Sequence, residues 1–206
     1  IKNKYELFIN LDGLKVSFYY RDKNKSSLYN ILATVASINL YKDISRLKKN
    51  IFLNFQIPNG RGDISRIKMK NKEVFLIDET YNSNPLSLKT AIQNYDKIKS
   101  KNSQKFMILG DMLELGKHSI KQHRLISNII NKTKINQVYV IGKYIKETFK
   151  GLKPNKKARI LNNKLGIIDL INKNLNNNDY LMIKGSNSTG LHKIITNLKQ
   201  RSTNVI

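Results

Sequence analysis

The 206-residue chain carries 38 Lys and Arg against 14 Asp and Glu, a net charge of +24, with 40% hydrophobic residues and no cysteine. This sustains a core of one to one and a half domains and excludes disulfides and thiolate metal sites, which suits a cytoplasmic protein. No apolar run reaches the ~20 residues of a membrane span, and "IKNKYELFIN" is neither a signal nor a transit peptide; because it opens on Ile1 rather than Met, the chain is expected to begin inside a longer reading frame.

Residues 5–10 and 15–20 alternate around "LDGL", which predicts a hairpin turning at Asp12-Gly13. "SSLYNILATVASINLY" (26–41) repeats apolar residues near the 3.6 period and predicts a helix, with a Ser at its start as N-cap. A short helix is expected over 43–50. "IPNGRGD" (57–63) gathers Pro, two Gly and Asp, and a domain boundary is placed there, giving units 1–61 and 62–206. The pattern then changes. "EVFLID", "KFMILGD", "QVYVIG", "ARIL" and "YLMIKG" predict strands, and helices are predicted over 85–99, 117–132, 143–149, 164–175 and 189–200. Short wholly apolar runs alternating with helices imply an α/β fold, a Rossmann-like doubly wound and mostly parallel sheet.

Ligands in such sheets bind beyond the carboxyl ends of the strands. Those ends carry Asp78-Glu79, Gly110-Asp111, Gly142-Lys143 and Lys184-Gly185-Ser186. Acids, amides and a base therefore converge on one rim. The elbow 78–85 is the richest stretch, with Asp78, Glu79, Tyr81, Asn82 and Asn84 ahead of Pro85. Asn84-Pro85 also reads as an N-cap followed by a first-turn proline.

Two segments approach the phosphate-binding P-loop and miss it. Gly185 and Gly190 have its spacing, but Leu191-His192 stand where Lys-Ser/Thr is required, and "GDMLELGKH" has one residue too many. Neither should cradle a triphosphate unaided. A Gly-Ser turn opening onto a helix still suits a carboxylate or phosphate. His118, His123 and His192 lack metal-ligand spacing and read as ordinary surface or core histidines; no metal-ligating residue is singled out. The charge admits a basic nucleic-acid-binding module, whose affinity would fall steeply with salt. Against it, the Lys are dispersed among abundant Asn and Ile, and no aromatic–basic signature of an RNA-binding sheet is present.

"IDETYNSNP" (77–85), "LGDMLELG" (109–116) and "MIKGSNSTGLHKII" (182–195) together resemble the bacterial Mur ligases. The Tyr-Asn-x-Asn-Pro element is most like the member that adds D-Ala-D-Ala to UDP-N-acetylmuramoyl-tripeptide (UDP-MurNAc-tripeptide) during peptidoglycan precursor synthesis. The resemblance implies that residues 1–61 are the end of a central ATP-binding domain and 62–206 a C-terminal domain, with the P-loop half missing. It implies ATP and Mg²⁺ as cofactors, UDP-MurNAc-tripeptide and D-Ala-D-Ala as substrates, an acyl-phosphate intermediate, a monomer, and inactivity of this chain alone. Asn30, Arg61, Asp78 and Glu79 match the residues of that family near the nucleotide. Arg61 and Lys184 match catalytic positions. Tyr81, Asn82, Asn84, Asp111, Glu114, Lys184 and Ser186 match the substrate-facing rim. Ser26-Ser27 stand where the family has His-Asn, and Glu79 where Asp is common. Another amino-acid ligase of the Mur and folylpolyglutamate synthase superfamily fits the same motifs.

Overall fold

The computed structural model describes residues 4–21, 25–55, 58–69, 71–100, 102–163 and 165–203, side chains of 25, 26 and 203 excepted. The helix that begins near 26 starts at Lys25, so the Ser expected as its N-cap falls inside the first turn; Ile57 at the expected boundary and Lys164 at the expected start of a helix lie outside this description. The chain divides into two compact units, Ile1–Ile57 and Pro58–Ile206.

In the first unit β1 (Tyr5–Leu11) and β2 (Leu14–Tyr20) pair antiparallel, Leu11 opposite Leu14. Asp12 and Gly13 both take positive φ, 50° and 86°, as a two-residue hairpin turn matched to strand twist requires. α1 (Lys25–Asn39) packs Ile31 and Val35 on Ile9 and Phe18 of the hairpin. The helix expected over 43–50 is one 3₁₀ turn, Ile44–Arg46, whose Asp43 carboxylate accepts from Ser45 N–H at 2.9 Å. An acceptor side chain beside so few amides caps a single turn rather than a helix.

In the second unit the strands are β3 (Asp63–Met69), β4 (Lys72–Glu79), β5 (Lys105–Gly110), β6 (Gln137–Ile141), β7 (Lys157–Ile160) and β8 (Tyr180–Lys184). They form one sheet in the order β3-β4-β8-β5-β6-β7, parallel except for β3. The antiparallel edge strand β3 was not foreseen. It buries only Ile67 and Met69 and leaves Ile64 57% exposed, so it offers neither an apolar run nor clean alternation.

The helices are α2 (Pro85–Lys97), α3 (Ser119–Ile130), α4 (Lys146–Lys150), α5 (Leu165–Asn174) and α6 (Leu191–Thr203). Successive strand residues face opposite sides. Phe106, Ile108, Leu181 and Ile183 pack with Ile167 and Leu170 of α5 and Ile194 and Leu198 of α6. Met107, Leu109 and Met182 pack with Leu88 and Ile92 of α2 and Ile126 and Ile130 of α3. All six residues of β5 are buried. Covering both faces is what makes the central strands apolar throughout.

Strand order sets the location of a site. β4 and β5 lead into helices on one face, whereas β8, inserted between them, leads into α6 on the other. Adjacent connections that leave in opposite directions open crevices at the carboxyl ends of β4, β8 and β5. Glu79 and Lys184, each last in its strand, are paired neighbours there.

Candidate active site

Three turns meet on this rim: 79–84 after β4, 110–116 after β5 and 184–190 after β8. The side chains that sequence reading gathered there separate into two groups. Arg61, Tyr81, Asn82, Asn84 and Glu114 are exposed, while Asp78, Asp111, Lys184 and Ser186 are buried.

The buried group holds the turns together. Lys184, 2% exposed, donates to Glu79 Oε2 at 3.2 Å and to Asn82 O at 2.9 Å, so it fastens the elbow to the end of its own strand. Burial lowers the Lys184 pKa below its usual 10.5, opposed by the Glu79 charge. Burial likewise raises Glu79 above 4.5, opposed by Lys184. Ser186 uses both roles of its hydroxyl internally: it donates to Ser83 O at 3.1 Å and accepts from Leu113 N–H at 2.9 Å. Its own N–H reaches Asp111 O at 3.0 Å. The Asp111 carboxylate accepts from Lys143 N–H at 2.9 Å and Ile145 N–H at 2.7 Å, pinning the turn that leads into α4. Gly142 lets that happen. Its φ is 140°, and a Cβ there would lie 2.6 Å from the Asp111 carboxyl carbon. Asp78 accepts from Thr80 N–H at 3.0 Å and Thr80 Oγ1 at 2.6 Å, which bends the backbone at the start of the elbow.

The loop before β3 is clipped to the same elbow. Gly62 N–H donates to Asp78 O at 2.7 Å and Tyr81 N–H to Gly60 O at 3.1 Å. Lys199 of α6 lies 2.6 Å from Asp63 Oδ2 and 3.7 Å from Asp78 Oδ2. The loop presents Arg61, whose Cζ stands 4.3 Å from the centroid of the Tyr81 ring, a cation–π distance. Arg61 is thus outward-facing with an exposed aromatic partner, free to meet an anion. Asn84 caps α2 as expected: its Oδ1 accepts from Ser87 N–H at 2.8 Å and Ser87 Oγ accepts from Asn84 N–H at 3.0 Å. Glu114 takes φ 66° in the turn after β5. Asn30 belongs to the first unit, on the exposed side of α1, where it helps line a hollow of about 780 Å³.

A second hollow, about 600 Å³, lies on the rim between the ends of β5 and β6 and the starts of α5 and α6. Asp111, Leu113, Ile141, Asn163, Leu165 and Thr189 are among its walls. Apolar walls with a few amides and hydroxyls suit a small, partly apolar ligand. Lys199, which holds Asp63 and Asp78, has no signal in the sequence, and His123, which accepts from Met112 N–H at 3.0 Å, reads there as an ordinary surface or core histidine; no spacing ties either to the segment it braces. Among the described residues no group of three His, Cys, Asp or Glu could hold a metal ion, and no helix is long and apolar enough to cross a membrane.

A doubly wound α/β domain with an acid–base–amide rim at its switch points has the architecture in which ligands bind beyond the carboxyl ends of the strands. Residues 65–187, more than half the chain, match the family model described as Mur ligase, glutamate ligase domain, and the chain belongs to the Mur ligase family. It is 33% identical over 168 residues to the UDP-N-acetylmuramoyl-tripeptide–D-alanyl-D-alanine ligase of Buchnera aphidicola subsp. Baizongia pistaciae, covering 81% of this chain and 34% of that protein. The ligase of the same name from Rickettsia prowazekii is 28% identical over 191 residues, 92% of this chain and 40% of that one. The chain therefore spans about a third to two fifths of these curated relatives. Among solved structures, the MurF ligase of Thermotoga maritima in complex with ADP superposes with a TM-score of 0.70 at 18% identity, over 97% of this chain and 44% of that one. MurF from Acinetobacter baumannii gives 0.65 at 20% identity, over 90% and 40%. At such identity the likeness speaks to the fold.

Proposed function

We propose that this chain is the C-terminal portion of an ATP-dependent amide ligase that joins D-Ala-D-Ala to UDP-MurNAc-tripeptide in the cytoplasm, for peptidoglycan synthesis. The observation that carries the reading is the meeting of all three family-like turns on one rim, bolted together by Ser186 and Lys184. Residues 1–61 are the end of the central ATP-binding domain and 62–206 the C-terminal domain. In the reaction a tripeptide carboxylate oxygen attacks the γ-phosphorus of ATP and ADP leaves. The amine of D-Ala-D-Ala then attacks the acyl-phosphate carbon, phosphate leaves and the nitrogen loses a proton.

Arg61 is the residue of this chain best placed for the phosphates: it is exposed, permanently charged and forked. Glu79, on the exposed side of the acid pair, is the further nucleotide contact of this domain, with Asp78 holding the elbow behind it; for the first unit, taken by itself, Asn30 is the proposed nucleotide-binding residue. Tyr81, Asn82, Asn84 and Glu114 face substrate, and the 600 Å³ hollow beside Asp111 and Leu113 receives the dipeptide. Lys184 supports catalysis by fixing Glu79 and Asn82. Among the described residues no group of three His, Cys, Asp or Glu forms a metal cage; on this reading the Mg²⁺ ligands lie mainly in the part of the ligase N-terminal to these residues.

The test is ligation by the complete polypeptide given UDP-MurNAc-tripeptide, ATP and D-Ala-D-Ala, with phosphate release measured beside product. The 206-residue chain alone should give none. Turnover with single amino acids or glutamate in place of D-Ala-D-Ala would assign it to another ligase of the superfamily.

A further inference from the structure

His123 lies on α3, five residues into the helix, and is 0% exposed. Its two ring nitrogens have opposite, fixed partners. Nδ1 lies 2.7 Å from Ser119 O, and a carbonyl only accepts, so Nδ1 carries the proton. Nε2 lies 3.0 Å from Met112 N, and a backbone N–H only donates, so Nε2 is the bare acceptor. These two bonds call for the neutral ring protonated at Nδ1; Asp111 Oδ1 stands 4.0 Å from Nε2, beyond hydrogen-bond reach. Thr148 Oγ1 closes the arrangement from α4 by donating to His123 O at 2.6 Å.

Met112 is the second residue beyond the end of β5. The next amide, Leu113 N–H, donates to Ser186 Oγ, which donates in turn to Ser83 O. One chain of hydrogen bonds therefore runs from α3 through the β5 turn and the β8 turn to the elbow after β4. Leu113 also walls the 600 Å³ hollow. We propose that His123 is a positioning residue for the rim: as a neutral acceptor it fixes Met112, which aims Leu113 N–H at Ser186 and so sets one wall of the hollow. No other side-chain acceptor takes the Met112 N–H among the bonds described. Histidine suits the task because a rigid ring on a helix can bridge its own turn and a neighbouring loop.

The role rests on the ligase reading only in its last readout. In the wild-type chain, NMR should detect a coupling across the hydrogen bond from Met112 N to His123 Nε2, with Nδ1 protonated; a proton on Nε2 overturns the proposal. His123→Leu should speed hydrogen exchange at Met112 and Leu113 by about tenfold more than at Ile108 and Met182. Equal acceleration at all four means His123 is only core packing and overturns it. His123→Gln, whose amide oxygen can accept from Met112, should restore protection. In the complete polypeptide, His123→Leu should raise KM for D-Ala-D-Ala and leave KM for ATP unchanged; equal changes in both count against it. If the wild-type polypeptide ligates nothing, the ligase reading fails while the coupling and exchange results still judge His123.

Discussion

Glu79 Oε2 and Lys184 Nζ stand 3.2 Å apart at the ends of neighbouring parallel strands, in a setting that penalises both charges. Neither group would remain ionised alone in that crevice without cost. The pair is held because each charge offsets the desolvation of the other and because Asn82 O takes a further Lys184 proton. Removing one partner leaves the other buried and unmatched. Lys184→Met should therefore destabilise the fold by about 3 kcal/mol, whereas the double variant Lys184→Met/Glu79→Gln should recover a large part of that. Urea unfolding of wild type, Lys184→Met, Glu79→Gln and the double variant measures this; a double variant as unstable as the sum of the singles removes the coupling.

The same pair gives a pH signature. Glu79 has a folded pKa above its unfolded 4.5, so the folded state binds more protons between those two values. There Glu79 makes unfolding free energy fall as pH rises, and its cost is fully present above the folded pKa. Lys184 has a folded pKa below 10.5, so the unfolded state binds more protons in its window and the cost of its charge is relieved as pH rises toward 10.5. Subtracting the stability curve of Glu79→Gln from that of wild type should leave a negative slope beginning near pH 4.5. A flat difference would mean the carboxylate is better solvated than its position implies.

Much of this was legible in the sequence where one physical cause dominates. β5 reads as a strand because helices cover both its faces and each of its six residues must be apolar or shielded. The hairpin is legible because Asp-Gly accepts two positive φ angles. Strand order was not legible: β8, last in sequence, enters the sheet between β4 and β5, and nothing local specifies that. For the rim, the sequence placed Glu79, Gly110 and Lys184 at strand ends, where the structure has them, but could not sort outward contacts from internal struts. Asp111 and Ser186 look like ligand groups until their bonds to Ile145, Leu113 and Ser83 are seen. Nor could the dispersed lysines show that some are helix-end braces, as Lys105 is to Asp96 O and Lys156 to Thr133 O and Ile135 O.

Asp111 makes a further test, since its carboxylate does the work of a small cap for the turn before α4. An Asn there offers one acceptor oxygen and turns an NH₂ toward a backbone N–H. Asp111→Asn should cost about 1.5–3 kcal/mol. Gly142→Ala should cost about 2–4 kcal/mol, because the new Cβ both overlaps the carboxylate and strains a residue at φ 140°. Thermal melts should register each as a fall of several degrees. If Gly142→Ala is neutral, the two residues are not in the close contact described.

Arg61 is the contrasting case. Its guanidinium is exposed, touches the half-exposed Tyr81 ring and, among the described residues, braces no buried group. Arg61→Ala should therefore change stability by no more than about 0.5 kcal/mol, the range of surface substitutions. In the complete polypeptide it should still cut kcat/KM for ATP by about a hundredfold or more, because a charge-assisted contact to a phosphate strengthens as charge shifts during transfer. Arg61→Lys keeps the charge but loses the fork, and should recover only part of the loss. Steady-state kinetics with ATP varied at saturating D-Ala-D-Ala, beside urea unfolding of the same proteins, decides the matter. A variant that folds normally and keeps full ATP-dependent turnover would remove Arg61 from the phosphate site.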